Sequence, residues 1–422
     1  MLIVFLILVF CLVTHFKSTV IAYSPFKFLF TNGVILIGNI SFDNAISFLV
    51  VIIFAFQYFV KKEYHYQKGR WPLMLSFLIM ILSESISALI GDSNIMSIPL
   101  KFCRTYGYCL VLYYLIKDEA DFKLLVKSLF LFSIILIGNA VVQFLFDINI
   151  IGNWVASSLK DGVFFADTTD YGSRGVRIQS FMAHSICFGD VCAIFIMVIA
   201  YLYKQGYMKR LCEIVIFLLL LGLVMANSRT PLMALLIYII PFADKEKIIK
   251  YRFWYGLGLI AFVLVFASPL YQMFDSMFND NTDFDLGGSD MTMRLEQLEA
   301  SIYVVQNSLI WGLGYSFDFS NITELRGAES IWFNLLMYQG LVGCLCYVFI
   351  IIQSITKTRH YSCYRYIFYM SIGYFIQQTS TYNAGITEFL FYYCLIILIA
   401  HSDIFSNGQK ELTTEEGEIA FI

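Results

Sequence analysis

Five arginines, Arg174, Arg177, Arg229, Arg294 and Arg326, occupy one alternate set of connections between apolar segments, a set in which Lys160 is the one accompanying lysine. Arginine presents a planar fork of N–H donors that matches phosphate and carboxylate oxygens, and it stays charged where water is scarce. Lysine would serve solubility equally well, so the bias toward arginine points to an anionic ligand. Arg229 poses the question most sharply. It is the one charge in "LVMANSRTPLMALLIYIIPF", Leu223 to Phe242, and a guanidinium at bilayer depth costs about 2.5–3.5 kcal/mol on insertion scales. Alone, it is a side chain reaching from a tight turn to lipid headgroups. Arginines retained at several helix ends argue for a ligand they share.

The groups that could move a proton near these arginines are Glu329, His184, Asp190 and Glu324. A general base must reach the proton it takes. Glu329 is the first choice, at the N-terminal end of "SIWFNLLMYQGLVG", where a helix dipole also favours a carboxylate that does no chemistry. His184 is the second choice, with an interfacial polar residue as its plainer reading. Lys101 and Arg104 stand three apart on one helix face and Glu84 lies on the preceding span, forming either a shielded ion pair or a cationic wall. "TDFD" has the DxD spacing of metal-dependent sugar-nucleotide transferases, but it sits in an acidic run outside any α/β domain, and no metal box or P-loop accompanies it.

The elements that must position these residues are membrane helices. The chain is 59% hydrophobic and 14% charged, with a mean hydropathy of +0.73, a composition that excludes a soluble domain of 422 residues. Apolar spans of bilayer length cover about Leu2–Phe16, Ala45–Val60, Trp71–Ile90, Ile98–Ile116, Phe122–Phe146, Ser185–Tyr203, Leu211–Ala226, Pro231–Ala243, Phe253–Tyr271, Ser330–Gln353, Tyr364–Gln378 and Gly385–Ala400. The expectation is an all-α integral membrane protein of about 12 transmembrane helices, one polytopic domain over residues 1–422. The first span lacks a basic leader and a small-residue cleavage site and is taken as a retained helix. The stretch Ser24 to Ile40 is either a re-entrant segment or an extra span, and in the second case the amino terminus changes side.

Charge alternates between the connections. "KKEYHYQKGR", "KDEADFK", "KQGYMKR", "DKEKIIKYR" and "TKTRHYSCYR" hold 17 Lys and Arg, counting Lys127, whereas the intervening connections hold six. Cytoplasmic loops retain positive charge, so the arginines named above face outward and the acidic tail ends inside. Two outer loops are long, 147–184 and 272–329. The second carries "MTMRLEQLEASIYVVQNSLIWGLG", where Leu295, Leu298, Ile302, Val305 and Leu309 repeat at three and four residues. That spacing predicts an amphipathic helix over about 291–309, N-capped by Asp290, lying along the membrane or over a cavity. Arg294 falls in its first turn, opposite much of the stripe. All ten cysteines lie in apolar segments, which suggests no disulfide framework or zinc site.

The order "RGVRIQSFMAHSICFGD", "NSRT", "MRLEQLEASIYVVQNSLIWGLG", "AESIWFNLLMYQGLVG", over about Arg174 to Gly343, resembles the Wzy-type O-antigen and capsular repeat-unit polymerases and the related O-antigen ligases. The resemblance implies glycosyl transfer from an undecaprenyl-pyrophosphate-linked glycan to an acceptor hydroxyl at the outer face of the bacterial inner membrane, with the long loops periplasmic. It implies that Arg229, Arg177 and Arg294 bind the donor pyrophosphate or its sugar; Arg174 and Arg326, from the outward charges, and Arg104, from the cationic wall, are further candidate binding residues. No metal or cofactor is implied. Membrane lipid, a chain-length regulator and a flippase are the expected associates, and nucleic acid is not. The ligases open the re-entering helix with a His-Asn pair where this chain has Glu329-Ser330, which favours polymerase over ligase. His184-Ser185 replaces a frequent Pro-Asn. A lipid-linked oligosaccharide flippase, a transporter of similar helix count, is the alternative from another class.

Overall fold

The computed structural model describes residues 1–29, 34–37, 40–62, 73–90, 97–156, 169–170, 176–182, 184–243, 291–314, 317, 322, 325, 330–380 and 389–400. The expected span Phe253–Tyr271, the "TDFD" run, Lys160, Arg174, Asp290, Glu324, Arg326, Glu329 and the acidic tail lie outside them, and of Lys101 and Arg294 only the backbone is described.

Helix dominates. In chain order the helices are α1 Leu2–Thr14, α2 Phe16–Tyr23, α3 Phe42–Phe59, α4 Met74–Ile90, α5 Ser97–Phe102, α6 Tyr108–Leu115, α7 Glu119–Phe146 and α8 Ile150–Ala156. They continue with α9 Ser185–Lys204, α10 Lys209–Ala226, α11 Arg229–Ile239, α12 Met291–Val305, α13 Ile331–Lys357, α14 Tyr364–Ser380 and α15 Phe389–Ala400. Two antiparallel ladders interrupt them: β1 Ile35–Ile37 with β2 Ile40–Ser41, and β3 Thr169–Asp170 with β4 Arg177–Ile178. Among the described residues, α3, α7, α9 and α13 are long and apolar enough to cross a membrane, and α1, α4, α11 with its following turn, and α15 are shorter apolar helices. The expected span Ile98–Ile116 is interrupted by a π-helical turn, Cys103–Gly107, between α5 and α6, a device common where a helix must re-aim its side chains.

The longest helix is fixed by its own first residues. Asp118 accepts the Asp121 N–H at 2.8 Å, and the Asp121 carboxylate accepts the Asp118 N–H at 3.3 Å, a reciprocal cap that satisfies donors every helix start leaves open. Lys17 sits on the same carboxylates, 2.6 Å from Asp121 and 3.5 Å from Asp118. The centre of the bundle is α9, whose most apolar 18 residues are 94% buried within the protein, against 33% for α3. Hydrophobicity alone does not distinguish the two, because lipid and protein interior are equally apolar.

Polar side chains choose the helix pairs. Ser76, Ser83 and Ser87 lie on one face of α4 and bond to the Gln353 amide, the Gln339 amide (2.8 Å) and the Tyr338 carbonyl (2.5 Å) of α13, so the two helices run antiparallel. Small serines allow close approach, and their hydroxyls find partners only across the interface. In the amino-terminal part, α2 and the turn Ser24–Leu29 climb along α7, from Lys17 at the Asp118–Asp121 cap to Phe26 edge-on to Phe132. Lys27 then forms a buried ion pair with Asp43 of α3, donates to Ser47 at 3.0 Å and stands 5.2 Å from the Tyr108 ring centroid. The neighbouring α1 returns alongside, with Phe5 edge-on to Phe42.

Two outcomes follow. The Asp121 N–H donated to Asp118, with Lys17 beside it, holds the Asp118 carboxyl below the usual carboxylate range. A depressed folded-state pKa contributes stability above the unfolded value and loses it as pH falls through the folded one. Asp118→Ala is expected to lower stability in detergent by about 0.5–2 kcal/mol at neutral pH, and thermal unfolding should show the gap to wild type closing below about pH 4. Lys27→Met leaves Asp43 charged among apolar neighbours and should cost about 3–5 kcal/mol. Lys27→Met with Asp43→Leu should restore most of the melting temperature.

Candidate functional site

The connection between α7 and α9 reaches the bundle through a buried amide cluster. Asn139 and Gln143, one turn apart on α7, are buried. Asn139 donates to Asn149 at 2.9 Å and to Ser180 Oγ at 3.2 Å, and its carbonyl accepts the Ile151 N–H at 3.1 Å. Gln143 accepts the Ser180 N–H at 2.8 Å, and Ser180 Oγ donates to the Leu136 carbonyl at 2.8 Å. Ser180 is left-handed, φ 53°, and turns the chain between β4 and α9. These bonds pin both ends of the loop to α7, and β4 packs against α7, α9 and α10. Arg177, the first residue of β4, is thereby held at 8% exposure, a low value for a guanidinium.

His184 stands at the head of α9. Its Nδ1 accepts the Ile186 N–H at 3.2 Å and caps the helix. With Nδ1 so engaged the neutral ring carries its proton on Nε2.

Arg229 follows from a two-residue turn. Asn227 ends α10 in the left-handed conformation, φ 44°, and Ser228 begins α11, so Arg229 is the first residue of that helix. Its guanidinium is attached to the end of α11 where unsatisfied N–H groups already concentrate positive potential. Gly189 of α9 faces Pro231 and Ala226 across this turn. Arg177, His184 and Arg229 therefore share one end of the α7, α9, α10 and α11 assembly.

The opening of α13 joins them through α14. Ser330 caps α13, accepting the Trp332 N–H, and Trp332 Nε1 donates to Thr379 of α14 at 2.9 Å. Two residues earlier in α14, Gln377 accepts the Tyr238 hydroxyl of α11 at 2.7 Å. Glu329 immediately precedes Ser330 in the chain. Arg104 is placed apart from this group, half-buried in the π-helical turn that packs on α3, α5 and α6.

The expected amphipathic helix forms over Met291–Val305, ending four residues short of the expected 309. Of its expected apolar stripe, Val305 alone is buried against the protein. Leu295, Leu298, Ile302 and Leu309 are 37–54% exposed, while Gln297, Ser301 and Val305 are buried and α12 packs on α13. In a membrane protein the leucine stripe can face lipid, so burial selects the more polar side. Arg294 precedes Gln297 and Ser301 by three and seven residues along α12. The Asn139–Gln143 pair, the Gln297–Ser301–Val305 row and the α4 serines all carry helical spacing that periodicity could have shown. Hydropathy passes over such singly placed polar residues.

No curated protein matches the chain. The family model described as O-antigen ligase matches residues 214–348, from within α10 to within α13. That stretch contains Arg229, Arg294, Arg326 and Glu329, and Arg177, His184, Arg174 and Arg104 precede it. Through this segment the chain is a membrane protein related to the O-antigen ligase family, of which Wzy-type polymerases are related members.

Proposed function

We propose that the protein polymerises undecaprenyl-pyrophosphate-linked oligosaccharide repeat units into O-antigen or capsular polysaccharide at the outer face of the inner membrane. The observation that carries this reading is Arg229 at the first position of α11, inside the family-matched segment and at the bundle end shared with Arg177 and His184. About twelve membrane helices, with a cytoplasmic carboxyl terminus, belong to the same proposal.

The donor carries its own leaving group. The bond between the anomeric carbon and the pyrophosphate oxygen breaks, the acceptor hydroxyl oxygen bonds to that carbon, and its proton passes to a base and then to water. Glu329 is the proposed base and His184 the second choice, which would first have to give up the Ile186 cap or exchange its tautomer. Arg177 and Arg229, with Arg174, Arg294 and Arg326 as further ligands, neutralise the charge that grows on the departing pyrophosphate. One such pre-organised donor is worth about 100- to 1000-fold in rate, and the base about 100- to 10,000-fold. Arg104 is a candidate for the outer wall of the donor path. No metal is required by this scheme.

A ligase differs in acceptor alone, lipid A core in place of another repeat unit. Glu329-Ser330 in place of His-Asn favours the polymerase. A deletion strain separates the two: single-repeat caps identify a polymerase, and persistent full-length lipid-linked polymer identifies a ligase. The transporter alternative draws no support from the family match. In the same deletion strain, lipid-linked substrate retained on the inner leaflet would identify a flippase.

Arg229→Lys keeps the charge and removes the fork. Polymer formation in membranes is expected to fall at least about 100-fold, and undiminished chain length would exclude two-oxygen phosphate binding. Glu329→Gln should leave lipid-linked repeat units accumulating, visible on extraction of the lipid fraction, whereas normal polymer would remove Glu329 from the reaction.

A further inference from the structure

The backbone of α13 is broken at Gly340, φ 64° and ψ −160°, ten residues after Ser330. Segment 309–314, which leaves α12, crosses the break. Leu313 N–H donates to the Met337 carbonyl at 2.7 Å and Gly314 N–H to the Tyr338 carbonyl at 3.1 Å. Below the break, Leu341 N–H donates to the Leu309 carbonyl at 2.9 Å and Val342 N–H to the Ile310 carbonyl at 3.2 Å. The crossing strand thus takes up groups that the interrupted helix would leave without partners.

The two backbones meet at glycines. A Cβ on Gly340 would lie 2.4 Å from the Ile310 carbonyl oxygen, and one on Gly312 would lie 2.6 Å from the Gly340 nitrogen. Gly312 also has a positive φ, 71°. The obstructing atoms are backbone, so neither neighbour can rotate away. From the crossing to α12 there is one turn, Gln306–Ser308, closed by Gly312 N–H to the Ser308 carbonyl at 2.7 Å and by Ser308 Oγ to the Gly312 carbonyl at 2.6 Å. Val305 packs with Leu336 and Met337 just above the break. No flexible joint separates the outer helix from the opening half of α13.

We propose that Gly312 and Gly340 are positioning residues for glycosyl transfer, locking α12, with Arg294, to the half of α13 that begins beside Glu329. This rests on the polymerase reading. Arg294 lies eleven residues before Val305, about 16 Å along the helix, so a swing of about 10° at the base of α12 moves it by about 3 Å. Misplacing a catalytic constellation by about 1 Å costs on the order of 100-fold. The lock therefore acts on turnover more than on donor capture.

The test uses full-length protein in membranes, fed undecaprenyl-pyrophosphate-linked repeat units extracted from cells lacking it. Gly340→Ala is expected to lower kcat about 100-fold, with KM for the lipid-linked donor within about threefold of wild type and folded protein confirmed by size-exclusion elution in detergent. Ser87→Ala removes the hydroxyl on the Tyr338 carbonyl without adding bulk, and should lower kcat about threefold to tenfold, with Ser87→Thr restoring it. Combined with Gly340→Ala, Arg294→Lys should add little to the loss. Wild-type turnover in Gly340→Ala overturns the proposal. So does a rise in KM at unchanged kcat, a fully additive Arg294→Lys effect, or an activity loss matching loss of folded protein while Ser87→Ala stays fully active. Wild-type activity of Arg294→Lys alone removes Arg294 from the proposed site, and the glycine and serine variants then show whether the lock still governs turnover.

Discussion

Inside a bilayer a polar group has no water to bond, and each one left without a partner costs several kcal/mol. That constraint explains the arrangement of this protein more directly than hydrophobicity does. Lipid tails are as apolar as leucine, so burying leucine against another helix gains little over leaving it in lipid. The helix pairs are instead selected where hydroxyls, amides and interrupted backbone find each other: the α4 serines on α13, Tyr238 on Gln377, Asn139 on Asn149 and Ser180, Lys27 on Asp43. The break at Gly340 is the extreme case, since a whole segment of chain is spent on satisfying it.

The same constraint organises the candidate site. Arg177 is held by a loop whose two ends are tied to α7 through buried amides, and Arg229 by a two-residue turn that leaves no slack between α10 and α11. The opening of α13 is tied to α14 by the Trp332 indole. Fixed donors matter for the proposed chemistry, because a pyrophosphate leaving group needs its charge met without reorganisation at the moment of bond cleavage.

The relation to the O-antigen ligase family rests on residues 214–348, which contain Arg229, Arg294 and the α12–α13 unit. The elements that hold Arg177 and His184 precede that stretch. The candidate site thus joins a family-matched segment to residues that precede it, and α9, the most enclosed of the four long apolar helices among the described residues, packs against α10 and α11.

The apolar class of the protein, the alternation of its connections, the existence of the outer helix and the bias toward arginine were all written in composition and spacing, because these follow from short-range chemistry and from the bilayer acting on each segment separately. Which face of α12 turns inward was not. Of the apolar stripe Leu295, Leu298, Ile302, Val305 and Leu309, Val305 alone is buried, and it shares that burial with Gln297 and Ser301. The course of residues 16–29 along α7, the contact of Gly312 with Gly340, and the gathering of Arg177, His184 and Arg229 at one end likewise depend on partners distant in sequence. Periodicity reports how a helix divides its own surface; whether lipid or protein meets each face is decided by the hydrogen bonds that only the assembled bundle can complete.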